Sequence, residues 1–179
     1  MRGVDLQPES PRTRARLWAP WRMDYIKGHA TNGPAFQGCV LCELLRMDDG
    51  DGNLVLCRTG NAYVVMNRYP YTNGHLMVVP RRHTSDFTSL TAEETAGLME
   101  LIQKSVAALQ QSIRAQGFNV GMNIGRIAGA GIDEHLHFHV VPRWNGDTNF
   151  MPVLADVNLV NDHLVPSYRL IRETMKKLG

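Results

Sequence analysis

The sequence predicts an α+β fold, an antiparallel sheet with a long helix packed on it. Short Val-rich segments bounded by turn residues come first. A single long stretch of three-to-four-residue apolar periodicity follows, opened by a Thr-x-x-Glu signature. Two more strand patterns come after it, and the order sheet, long helix, sheet defines the class.

Taken in order, residues 40–47 read as a short helix. Asp48-Asp49-Gly50-Asp51-Gly52-Asn53 then makes an acidic, Gly-rich turn. It is not a calcium loop: an EF-hand needs a Glu about twelve residues from its first ligand and a helix on each side, and a Val-rich pattern follows instead. Residues 54–56, 62–67 and 75–80 read as strands. Tyr69-Pro70-Tyr71-Thr72-Asn73-Gly74 is the turn before the third. Thr91-Ala92-Glu93-Glu94 is a capping box, and Leu98, Ile102, Val106, Leu109 and Ile113 form one buried stripe that Gly117 ends. Residues 118–124 and 135–141 are two further strands, separated by a Gly-rich turn at 125–131. Residues 159–178 form a helix after Pro166, with Leu170, Ile171, Met175 and Leu178 as its apolar contacts.

A chain of 179 residues is about one domain. Its formal charge of +2 gives no overall electrostatic footprint for nucleic acid. Apolar runs such as Leu76-Met77-Val78-Val79 fall far short of the roughly 18 residues that span a bilayer. The N-terminus lacks the apolar core of a secretory signal, so a cytoplasmic protein is expected. Cys39, Cys42 and Cys57 are an odd number, which argues for reduced thiols or a metal site rather than a disulfide framework. Residues 1–31 carry six basic side chains against three acids. Within this arm, Leu17-Trp18-Ala19-Pro20-Trp21-Arg22-Met23-Asp24-Tyr25-Ile26 reads as a strap over the core, with a binding-site flap or dimer contact as the alternative.

His135-Leu136-His137-Phe138-His139-Val140-Val141-Pro142 carries the chemistry. Alternate residues of a strand share a face, so three imidazoles line one side while Leu136, Phe138 and Val140 enter the core. Two readings compete. The imidazoles could ligate a catalytic zinc with an open position, or a neutral imidazole could attack phosphorus and carry a nucleotide covalently. Gly125, Gly129 and Gly131 precede the run and let backbone N–H groups approach an anion, which favours a phosphate substrate.

This pattern resembles the signature of the histidine-triad nucleotide-binding superfamily: His, apolar, His, apolar, His, apolar, apolar. The resemblance extends through Val65-Met66-Asn67-Arg68-Tyr69-Pro70 and Gly74-His75-Leu76-Met77-Val78-Val79-Pro80 and covers roughly residues 38–145. The tail Pro142-Arg143-Trp144-Asn145-Gly146-Asp147-Thr148-Asn149-Phe150, with Leu17 to Arg22, looks like the branch containing diadenosine tetraphosphate phosphorylases and hydrolases. The division implied is an arm at 1–37, a histidine-triad domain at 38–145 and a tail at 146–179.

The resemblance implies that His137 attacks the α-phosphorus, its other nitrogen held by an acceptor such as a backbone carbonyl, and that His139 contacts the phosphate and helps the leaving group depart. Asn67 matches the nucleoside contact and Asn123 a polar side chain near ribose or phosphate. Gly129, Ala130, Gly131 and Ile132 match the phosphate-contacting turn, although the family commonly has Gln or Ser where Gly131 stands. Trp144 is positioned to stack on a base or to fill the core or an interface.

Cys39 and Cys42 have C-x₂-C spacing, half of a tetrahedral zinc site. Zinc-bearing members of the family complete the set at the positions of His83 and His135. That closed Cys₂His₂ site would be structural, making His135 a ligand and leaving chemistry to His137 and His139. Cys57 reads as a buried strand thiol, and His75 as support for the turn or site. The resemblance further implies a homodimer that cleaves a dinucleoside polyphosphate through a nucleotidyl-histidine. Phosphoramidate hydrolysis and noncatalytic nucleotide binding are the alternatives.

Overall fold

A computed structural model describes residues 38–147 and 164–179. The basic arm, the expected strap at 17–26, and Thr148, Asn149 and Phe150 lie outside the described residues. The elements run α1 (Val40–Arg46), β1 (Val55–Arg58), β2 (Ala62–Met66), β3 (Leu76–Pro80), α2 (Ala92–Ile113), β4 (Gly117–Met122), β5 (Phe138–Arg143) and α3 (Leu164–Lys177). Single 3₁₀ turns lie at Phe87–Ser89 and Arg126–Ala128.

The strands form one antiparallel sheet in the order β1-β2-β3-β5-β4. Every residue of β2 and β3 is buried, so both faces of these central strands are covered and their sequences read as continuous apolar runs rather than alternating ones. The helix α2 packs over β2, β3 and β5. It starts as expected: Thr91 Oγ1 accepts from the Glu94 backbone N–H at 3.1 Å, and Glu94 accepts from the Thr91 N–H at 2.9 Å. It stops earlier than expected. Arg114 takes the left-handed conformation (φ 53°) as C-cap, and Gly117 opens β4 instead of ending the helix.

Asn53 fixes the acidic loop. Its side-chain oxygen accepts from the backbone N–H groups of Gly50 and Val55, and its amide donates to the Leu44 carbonyl. Asp49 pairs with Arg58 and Asp51 with Arg169, so the acids serve as ion-pair partners. The C-terminal helix starts two residues before Pro166. The ring falls in the first turn, where its missing N–H has no intrahelical partner to lose. Ile171 and Met175 are buried as expected, but Tyr168 is the third contact, donating to the Val55 carbonyl at 3.0 Å. Leu170 and Leu178 face outward instead.

Candidate functional site

The register fixes which side chains share a face. His139 lies opposite Met77 on β3 and Gly121 on β4. Paired residues of an antiparallel sheet point the same way, so His75, His139, Gly121 and Asn119 belong to one face. Asn123 and His137, just beyond the paired residues, continue it. Gly121 keeps the sheet surface beside His139 open, because a Cβ built there meets nothing within 4 Å.

The three imidazoles do not all line this face as the alternation predicted, because β5 begins only at Phe138. His135 and His137 sit on the irregular entry to the strand, and His135 turns away. Leu136 and Val140 are buried as expected, while Phe138 is half-buried, edge-on to Phe87 with ring centroids 6.4 Å apart.

His137 is 4% exposed, and its Nδ1 lies 2.9 Å from the His135 carbonyl. A carbonyl only accepts, so Nδ1 carries the proton and Nε2 keeps its lone pair. Burial lowers the pKa of this imidazole, favouring the neutral form. His139 stands edge-on to it, with ring centroids 5.0 Å apart.

A second chain of contacts orients His139. The backbone N–H of Tyr71 donates to His75 Nδ1 at 3.2 Å, which leaves the His75 proton on Nε2. That Nε2 lies 3.0 Å from His139 Nδ1. His75 therefore donates, His139 accepts, and the His139 proton sits on Nε2. Asn67 reinforces this: its Oδ1 accepts from the Tyr69 N–H at 2.9 Å, turning its amide nitrogen toward His75 Nδ1 at 3.3 Å. Tyr71 stacks on His75 with ring centroids 4.8 Å apart. His75 is fully buried. Gly74 lets the turn reach it: at φ +76°, a Cβ there would lie 2.6 Å from Ile113 Cδ1.

Beyond Met122 the chain forms the Gly-rich turn. Gly125 (φ +81°) and Gly129 (φ +93°) bracket the 3₁₀ segment, and Asn123 Nδ2 lies 3.5 Å from the Gly129 carbonyl. Arg126 donates to Asp133 across the turn at 2.7 Å. Trp144 is not brought together with these groups. It follows the far end of β5, and its indole N–H donates to the Ile113 carbonyl at 3.2 Å.

The remaining imidazole belongs to a separate cluster. His135 Nδ1 lies 3.3 Å from Cys39 Sγ and 3.5 Å from Cys42 Sγ, and His83 Nδ1 lies 3.3 Å from Cys42 Sγ. All four ligand atoms fall within 4.8 Å of one another. A tetrahedral ion with Zn–S near 2.3 Å and Zn–N near 2.0 Å separates S from N by about 3.5 Å, so the donor set fits such a metal. His135 Nε2 lies 2.8 Å from the Pro80 carbonyl, the second contact that fixes a ligating ring. Burial raises the Cys39 thiol to about 11, so metal binding there releases a proton. Cys57 lies on β1, half-buried and outside the cluster.

His75 is the functional residue whose role the sequence left vague. Its signal was a His on a Gly-bounded strand start in register with the triad strand.

The HIT domain family model matches residues 52–146. An AP-4-A phosphorylase of Mycobacterium tuberculosis is 41% identical over 160 residues, covering 87% of this chain and 82% of that protein. An adenosine 5'-monophosphoramidase of Schizosaccharomyces pombe is 31% identical over 108 residues, covering 60% of this chain and 75% of that protein. Among solved structures, a zinc-bound histidine triad family protein from Mycobacterium smegmatis superposes with a TM-score of 0.65 at 30% identity, covering 79% of this chain and 95% of that one.

Proposed function

The chain belongs to the HIT domain family, and on that premise we propose that it cleaves dinucleoside polyphosphates of the diadenosine tetraphosphate type through an adenylyl group carried on His137. One observation carries the reading: the His135 carbonyl holds the His137 proton on Nδ1, leaving the Nε2 lone pair as nucleophile. The likeness to a phosphorylase named for this class of substrate supports it.

In the first step the Nε2 lone pair of His137 attacks the α-phosphorus, and the bond from phosphorus to the bridging oxygen breaks. The departing oxygen accepts a hydrogen bond from the His139 Nε2–H, which offsets its developing charge while the proton stays on the ring, and the polyphosphate leaves as the anion. In the second step an oxygen of inorganic phosphate or water attacks the same phosphorus, and the P–N bond breaks to restore the lone pair. When water is the acceptor, its extra proton is released to solvent. His75 holds the His139 proton on the outer nitrogen throughout. The Gly129 and Ala130 N–H groups close the turn on the Arg126 and Gly125 carbonyls, and the backbone N–H groups of Gly131 and Ile132 receive the phosphate oxygens, with Asn123 beside them. Asn67 acts through His75 as well as toward the nucleoside.

Cys39, Cys42, His83 and His135 would hold zinc. When bound, a four-ligand zinc supplies a rigid anchor and no open position for chemistry. The reading includes a homodimer, for which the exposed apolar residues Val120 and Ile124, on and just beyond the edge strand, are suited.

Product analysis on diadenosine tetraphosphate, with and without added phosphate, tests the reading. ADP plus ATP in the presence of phosphate identifies phosphorolysis, whereas AMP plus ATP identifies hydrolysis. No cleavage alongside turnover of an adenosine phosphoramidate would instead favour the activity named for the fission-yeast relative.

A further inference from the structure

We infer that Arg126 grips the distal phosphates of the substrate and thereby sets the preference for a polyphosphate over a monophosphate. The inference rests on the reading of His137 as the adenylyl acceptor. Cleavage at the α-phosphorus next to His137 leaves a polyphosphate of several negative charges to be held nearby. The groups at the nucleophile do not balance it. His137 is buried with its Nδ1 on the His135 carbonyl, and the contacts above make His75 and His139 hydrogen-bond donors in series. Gly131 offers no side chain, so the turn otherwise presents main-chain donors.

Among the described residues, the cations near this turn narrow to one. Arg143 is held by Asp147 and Asn119. Arg114 caps α2 before Gly117, at the end of β4 remote from His137. At ~3.3 Å per residue, that strand separates it from the turn by roughly 20 Å. Arg126 is the first residue of the 3₁₀ segment, three residues after Asn123, and Asn123 continues β4 alongside His137.

Its present partner makes it available. The Arg126 side chain is 82% exposed and bonds Asp133 through Nε. An exposed ion pair of this kind adds little stability, whereas a guanidinium fork matches phosphate oxygens bidentately. Exchange of the Asp133 carboxylate for a phosphate therefore favours the ligand. In this proposal the guanidinium meets phosphates beyond the α-phosphate, a contact that a monophosphate has no group to make.

Calorimetric titration of the full chain with AMP and, separately, with ATP tests this in wild type, Arg126→Gln and Arg126→Lys. Loss of a charge-assisted bidentate contact should weaken ATP by about tenfold or more, and AMP by less than about twofold. Arg126→Lys should fall between, as a point charge without the fork. ATP affinity unchanged in Arg126→Gln, or AMP and ATP weakened alike, overturns the role of Arg126 while leaving His137 as nucleophile intact. A wild-type chain that binds neither nucleotide overturns the reading of the site and this inference with it.

Discussion

His75 donates from Nε2 to His139 Nδ1 across 3.0 Å, and it can do so because the Tyr71 backbone N–H occupies its own Nδ1. A turn preceding β3 thus decides which nitrogen of a residue on β5 carries a proton.

Replacing His75 by Phe breaks this arrangement. It also leaves the Tyr71 N–H without its acceptor, at a cost of about 1–3 kcal/mol. Turnover of diadenosine tetraphosphate should drop by about 10²-fold. An adenylyl ester with a nitrophenolate leaving group, which needs no hydrogen-bond donor to depart, should lose far less. Steady-state kinetics on both substrates checks this, and equal losses would assign His75 a packing role only.

Gly74→Ala should lower stability by about 2 kcal/mol, since the left-handed backbone and the Ile113 contact both oppose a Cβ. For a chain of this size that is a Tm decrease of roughly 4–8 °C. Thermal unfolding followed by circular dichroism measures it. An unchanged Tm would mean that α2 does not press on this turn.

Elemental analysis should find about one zinc per chain, bound by the Cys₂His₂ set. Cys42→Ser should abolish that zinc and lower Tm by about 5–10 °C. Adenylylation of His137 should survive at temperatures where the variant stays folded. Complete loss of adenylylation with an unchanged Tm would instead identify a catalytic metal.

The acid side of stability is set in part by Glu94, whose carboxylate is held down at about 2, first by the Arg82 guanidinium and then by the Thr91 backbone N–H. A folded-state pKa below the ordinary 4.5 means that the unfolded chain binds the proton more readily. The stabilisation is therefore fully present above about 4.5 and disappears as pH falls through about 2. The Tm difference between wild type and Glu94→Gln should shrink across that interval. A constant difference would show that the carboxylate's charge is irrelevant to α2.

Much of the fold was legible because local chemistry and global packing agree. The capping box at Thr91 and Glu94, the Val-rich strands and the apolar stripe of α2 each form as expected. The helix end was misread because Arg114, an ordinary residue, adopts the conformation usually left to glycine. The triad was misread as one row because periodicity assumes a regular strand, whereas the chain enters β5 only after His137. The divergence of His135 depends on Cys39 and Cys42, more than ninety residues away in sequence. His75 was underestimated for a similar reason, since its role lies in a proton position set by a backbone N–H.

The most direct test is rapid alkaline quenching during turnover of diadenosine tetraphosphate labelled at the α-phosphorus. Acid-labile, alkali-stable label should accumulate on His137 and be absent from a folded His137→Asn variant, which should also lose cleavage. Sustained cleavage with no label on His137, or full activity in His137→Asn, would contradict the account.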